Sequence, residues 1–378
     1  MKFIIAPDSY KGCLRSIEVC QYLADGIKQI RPDAEIVKLP MADGGEGSVE
    51  AVVSATNGKL ILLDVHNPLG KVIEAHYGIL GNGKTAIMEM ASASGIELLD
   101  AKDLNPWLTT TYGTGEIIKA ILKSGIRDII IGIGGSATND GGAGMAQALG
   151  YQFKTAGGDL QVCGCSGGGL RDICEINAEN VIPELKECRI RIACDVNNPL
   201  LGNKGATRVY GPQKGASPET LVKLEENMAN YATVLQQAGF ADDCEHPGDG
   251  AAGGLGFGLR TLTGGQIVSG AELIIEITGL KQKLVYADIL ITGEGCTDSQ
   301  TAHGKLCAVI AQAAGDAKVP AVLVSGALLG DLSELSDLFT AMFSTTSSPC
   351  SLAEAFAQTP ANLVRMGRNI AGLKKIIP

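Results

Sequence analysis

The sequence is short of positive charge. Its 31 lysines and arginines face 41 aspartates and glutamates, for a net charge of −10. Contacts to a nucleic-acid backbone need clustered cations, so nucleic acid is excluded as the main partner. Small anions are not, because backbone N–H groups and single lysines bind them. No apolar run reaches the ~18 residues of a membrane span, and no membrane partner is expected. "FIIAP" at the start meets Asp8 too soon for a signal peptide. The expectation is a soluble cytoplasmic protein. The four histidines, His66, His76, His246 and His303, form no H-x-x-x-H pair, which argues against a histidine metal site. The 11 cysteines are odd in number and read as reduced thiols. Cys163, Cys165, Cys174 and Cys188 lack paired C-x2-C spacing, which argues against structural zinc. The G-x-x-x-x-G-K-[ST] pattern is absent, so there is no ordinary P-loop. "GGLGFG" and "GIGGSA" fit the dinucleotide fingerprint poorly in spacing and position.

What is abundant is glycine, 50 residues in discrete clusters with no repeat. Such clusters mark special turns and close backbone approaches. The densest is "IGIGGSATNDGGAGM" at 131–145, an apolar run opening into bare backbone around one acid, Asp140.

The first sixty residues read strand–helix–strand–helix, with apolar runs at 2–6 and 35–39 and a helical period over 13–30. That is the opening of a parallel α/β sheet. Residues 59–90 carry three apolar runs split by Asn-Pro-Leu-Gly and Gly-Asn-Gly, which are hairpin signals. Further on, the pattern predicts helices over 115–126 and 218–239, a buried strand in "DIIIGIG", a helix starting at Gly142, a loop over 155–170 and a strand in "CRIRIACDV". Strands near 3, 36, 289, 322 and 341 make one parallel five-strand set. The expected fold is α/β. A discontinuous first domain, 1–60 and 286–378, is interrupted by a mixed α/β domain, 61–285. Ligands of such sheets bind outside the carboxyl ends of the strands.

Three loops of the first domain lie at that edge: "APDSYKG" (6–12), "PMADGGEGS" (40–48) and "TGEGCTDSQTAHGK" (292–305). The second contributes the 132–145 loop, "ACDVNNPLLGNKGA" (193–206), "VYGPQKGA" (209–216) and "GDGAAGGLGFG" (248–258). Glycine-rich loops suit phosphate oxygens, and Lys11, Lys214 and Lys305 sit beside glycines. Asp8, Asp43, Glu46, Asp140, Asp195, Glu294 and Asp298 exceed what loop tips need. Carboxylates beside phosphate-cradling backbone point to Mg2+ or to a base for a hydroxyl. Asp8 and Asp43 taken singly read as helix caps, and Lys214 as solvated surface. Asp195 directly follows a buried strand and has no helix to cap. The sum is phosphoryl transfer between two closing domains.

Taken in order, "APDSYKGCLRS", "PMADGGEG", "GIGGSATNDGGAGM", "ACDVNNPLLGNKGA", "YGPQKGA", "GAAGGLGFG" and "TGEGCTDSQTAHGK" closely resemble the bacterial glycerate kinase family, the type unrelated to P-loop kinases. The resemblance runs from residue 2 to the end. It implies phosphorylation of D-glycerate with ATP and Mg2+, to 2-phosphoglycerate, and a flavodoxin-like domain with the active site in a cleft against a second α/β domain. Tyr10 stands where the family usually has Phe, and Cys13 where it often has Ser; neither supplies a catalytic group. Within this frame Asp195 is the general base. Lys11, Ser9 and Asp8 hold glycerate or the transferred group, with Asp43 and Glu46 ordering the site or binding substrate hydroxyls. Gly134, Gly135, Ser136 and Thr138 cradle the ATP phosphates. Asp140 holds Mg2+, with Glu294 or Asp298 as the second candidate. Lys214 stabilises transition-state charge, and Arg260 takes the substrate carboxylate. A homo-oligomer is compatible with all of this. The competing readings are a non-catalytic sensor of small hydroxy acids and a hydroxy-acid dehydrogenase.

Overall fold

A computed structural model describes residues 1–42, 47–159, 165–302 and 305–373. The fold is α/β, in two compact units: Met1–Asp43 with Glu50–Gly58 and Gly270–Pro378, and Gly44–Val49 with Lys59–Ser269.

The first unit holds a five-stranded sheet in the order Ala341–Ser344, Ala321–Ser325, Ile289–Thr292, Lys2–Ile5, Glu35–Lys38. Every neighbouring pair is parallel. The continuous apolar runs "FII", "ILIT" and "AVLVS" suit strands covered on both faces. The helices Ser16–Ile30 and Leu352–Leu373 share one core through Leu23, Ile27, Leu363, Met366 and Ile370. Their backbones come close because Gly26 and Gly367 lie at the crossing. A Cβ on either would overlap a carbonyl of the facing helix, Val364 O and Leu23 O respectively.

The second unit holds a six-stranded sheet in the order Gln266–Val268, Arg189–Ala193, Asp128–Gly132, Thr85–Glu89, Val72–Ile79, Lys59–His66. The first four are parallel and the last two antiparallel. The expected hairpin at Asn-Pro-Leu-Gly forms, and Asn67 Oδ1 accepts from Leu69 N and Lys71 N to set the turn. The helix Pro218–Gln237 starts where Ser217 Oγ accepts from Thr220 N, with Pro218 just inside.

Two elements differ from those the sequence predicts. The segment taken as loop from 155 carries a hairpin, Gln152–Thr155 with Gly158–Asp159, joined by Glu175–Asn177. Strands of two to four residues are too short for alternation to be read. The helices Gly270–Thr278 and Leu280–Leu284 stand where the sequence pattern predicts no element. The glycine segment before the Arg260 helix is left-handed at Ala252, Gly253 and Gly254, so regular helix begins only at Leu255. Among the described residues no helix is long and apolar enough to cross a membrane.

Candidate functional site

Parallel strands bring the residues that follow them to one edge of each sheet. In the first unit these are Asp8 and Glu294, on neighbouring central strands. The register Ile5↔Ile291 continues as Ala6 N donating to Ile291 O and Asp8 N to Gly293 O. Asp8 is buried, and its Oδ1 accepts from Ser9 N at 2.6 Å. Lys11 is exposed in the turn that follows. Glu294 Oε1 accepts from Thr297 Oγ1 at 2.9 Å and Thr301 Oγ1 at 2.8 Å. Asp298 pairs with Lys305, whose Nζ lies 3.5 Å from Oδ1. Asp43, Glu46 and His303 lie outside the described residues, as does Cys163.

In the second unit the edge carries the 134–142 loop and, beyond the adjacent strand, Asp195. The loop's carbonyls are tied from beneath. Gly135 O accepts from Ile96 N, Ala137 O from Thr109 Oγ1, and Thr138 O from Lys214 Nζ at 2.6 Å. The N–H groups of Gly134, Gly135 and Ser136 meet no acceptor among the described residues, whereas Ala137 N donates to Ser94 O and Gly141 N to Gly253 O. Gly134 and Gly135 are exposed, and Gly135 has φ +73°. Consecutive N–H groups around a left-handed glycine are the kind of backbone from which anion-binding concavities are built. Thr138 Oγ1 and Asn139 Oδ1 are buried without a hydrogen-bond partner.

The contacts of Asp140, Lys214 and Arg260 differ from those their expected roles call for. Asp140 is fully buried, and its Oδ2 accepts from Thr111 N at 2.7 Å, Thr111 Oγ1 at 2.9 Å and Gly144 N at 3.2 Å, while Oδ1 accepts from Gly142 N at 3.2 Å. It organises its own loop, with its lone pairs turned inward. Burial raises its pKa, against the hydrogen bonds, which lower it. Lys214 is equally buried and points at Thr138 O, so it braces the cradle's backbone. Arg260 forms a bidentate pair with buried Asp249, Nε to Oδ1 and Nη2 to Oδ2 both at 2.8 Å, and Nη1 reaches Asp242. Its fork is held by a carboxylate of the protein.

Asp195 is exposed, with Ser269 Oγ donating to Oδ1 at 3.3 Å. The chain beyond it is pinned through Asn198: Nδ2 donates to Lys204 O, Tyr210 Oη–H donates to Oδ1, and Gly250 N donates to the main-chain oxygen. Thr109, Thr110 and Thr111, all buried, were missed from the sequence; three consecutive threonines ahead of a helix were the available signal. Among the described residues no group of three His, Cys, Asp or Glu side chains gathers as an ion site.

Two substitutions test this scaffold. A Cβ on Gly253, at φ +68°, would overlap Thr138 O. Gly253→Ala is expected to destabilise the protein by about 1–3 kcal/mol in urea denaturation, the scale of core overpacking; an unchanged midpoint would mean that the cradle yields freely. Lys214 is pulled from 10.5 down to about 7 by burial, with Asp140 opposing the shift. The unfolded chain then holds this proton more tightly than the folded chain between pH 7 and 10.5. Stability from this group therefore rises with pH across that window. Lys214→Met should show a flatter stability–pH slope there than the parent; parallel slopes would contradict a buried, readily neutralised lysine.

The model of the Glycerate kinase family matches residues 3–375. The chain is 45% identical over 372 residues to glycerate 2-kinase of Escherichia coli K12, covering 98% of this chain and 97% of that one. It is 43% identical over 377 residues to a glycerate kinase of Bacillus cereus, covering 100% and 98%. A crystal structure from Salmonella typhimurium LT2, provisionally named glycerate kinase 2, superposes with a TM-score of 0.90 at 42% identity, covering 100% of this chain and 98% of that one.

Proposed function

The chain belongs to the glycerate kinase family, and on that premise we propose that it transfers the γ-phosphoryl group of ATP to D-glycerate in the presence of Mg2+, giving 2-phosphoglycerate. The observation that carries the reading is the row of amides at Gly134, Gly135 and Ser136 that meet no acceptor among the described residues, while the carbonyls of Gly135, Ala137 and Thr138 are engaged. A triphosphate is the ligand such a row fits. The E. coli relative's name supports the 2-position.

In the proposed reaction the glycerate hydroxyl oxygen attacks the γ-phosphorus, the bond to the β-bridging oxygen breaks, and ADP leaves. Asp195 receives the hydroxyl proton. Most of the catalysis is placement and charge stabilisation, since the transition state is loose. Lys11 is the cation for the substrate carboxylate or the moving phosphoryl, a duty the Asp249 pair removes from Arg260. Glu294 fits Mg2+: a hard carboxylate oxygen, Oε2, has no partner among the described residues, and Asp298 follows on the same loop. The ion would neutralise charge on the phosphates. Phosphorus NMR of the product made from D-glycerate and ATP tests the reading. The 2-phosphoglycerate resonance is expected; the 3-isomer would overturn the regiochemistry, and no phosphorylated acid would overturn the function.

A further inference from the structure

The hydroxyls around Glu294 have a direction that donor counting settles. A carboxylate only accepts, so Thr297 and Thr301 each use their single O–H on Oε1. Thr297 Oγ1 also lies 2.5 Å from Ser325 Oγ. With the threonine proton already given to Glu294, the serine must be the donor in that bond. Thr301 Oγ1 in turn accepts from Asp298 N at 3.4 Å. The result is a one-way chain, Ser325 to Thr297 to Glu294, joined by Thr301.

All three hydroxyl residues are fully buried. They come from separate places: the end of the Ala321–Ser325 strand, the short Cys296–Thr297 bridge and the turn at 299–302. The bridge is held beside its neighbour by the parallel pairs Cys296↔Ala327 and Thr297↔Leu328. Close approach there depends on Gly326, where a Cβ would overlap Gly295 O. Nothing about capping or core packing requires two buried threonines on one oxygen of a half-buried glutamate. The arrangement does saturate Oε1 and fix the carboxylate plane, so that Oε2 is the oxygen presented outward.

We propose that Thr297, Thr301 and Ser325 are positioning residues that lock Glu294 so that Oε2 alone is offered to the divalent cation of the nucleotide. This rests on the reading of Glu294 given above and extends it to the oxygen used and the residues that select it. Partners behind a ligating group typically change metal affinity or activity by 10–100-fold when removed.

The test compares binding of a non-hydrolysable ATP analogue with and without Mn2+ by calorimetry, using the full chain. The affinity gained on adding Mn2+ is the readout, and binding of the metal-free analogue checks that each variant is folded. Thr301→Val and Thr297→Val should each lose about 10-fold or more of that gain. Thr301→Ser, which keeps the hydroxyl, should retain it. Ser325→Ala, one bond further away, should lose less than either valine variant. Glu294→Gln should abolish the gain. Valine variants that keep the parent's gain while Glu294→Gln loses it would overturn the positioning roles and leave the reading of Glu294 intact. A full gain in Glu294→Gln would overturn that reading, and the inference with it.

Discussion

Asp195→Asn is expected to lower kcat by at least ~10²-fold, the scale of general acid–base catalysis, with the KM for ATP nearly unchanged. The substitution is close to isosteric. Ser269 Oγ donates to Oδ1 at 3.3 Å, and an asparagine carbonyl in that place still accepts. The turn beyond is also held by Asn198, which ties it to Lys204, Tyr210 and Gly250. What is removed is the capacity to take a proton. An amide cannot accept one from the glycerate hydroxyl, so loss should appear in turnover and not in nucleotide binding. Rates within threefold of the parent would take Asp195 out of the mechanism and pass the base role to another acid at the edge.

The sequence disclosed the sheet far better than it disclosed the duties of its acids. The five parallel strands near 3, 36, 289, 322 and 341 were legible because each is a short apolar run stopped by Pro, Gly or a charged loop. The hairpins after residue 59 were legible because Asn-Pro-Leu-Gly has turn chemistry of its own. The strands at 152–159 are not, being only four and two residues long. The loops were found as well, since glycine clusters after buried strands are hard to mistake. Their polarity was hidden. Whether Asp140 faces out to an ion or in to Thr111 depends on a contact between residues 29 apart in the chain. Lys214 looked solvated because its neighbours are Gln213 and Gly215; its burial is set by Thr138, 76 residues away. Arg260 looked unoccupied because Asp249 is an unremarked member of a glycine loop. Residue type located these groups, and long-range pairing decided their work.

That inward polarity leads to the second large effect, which is on stability. Asp140→Ala is expected to destabilise the protein by at least about 3 kcal/mol. The carboxylate accepts from three main-chain amides, Thr111, Gly142 and Gly144, and from the Thr111 hydroxyl, at a site closed to solvent. Each buried donor left unpaired costs about 1–3 kcal/mol. Lys214, whose buried ammonium is favoured by the Asp140 charge, would also become easier to deprotonate. Both ends of the cradle thus loosen together, because Thr138 and Asp140 are two residues apart and each is held by one of these groups. Urea denaturation measures the stability loss, and calorimetry should show weaker binding of ATP even without a divalent ion. The metal-free arm separates the roles. A ligand to the ion would leave metal-free nucleotide binding untouched, whereas a loop organiser weakens it with or without the ion. Full stability together with a defect seen only when the ion is present would return Asp140 to the ion and put the inward contacts in question.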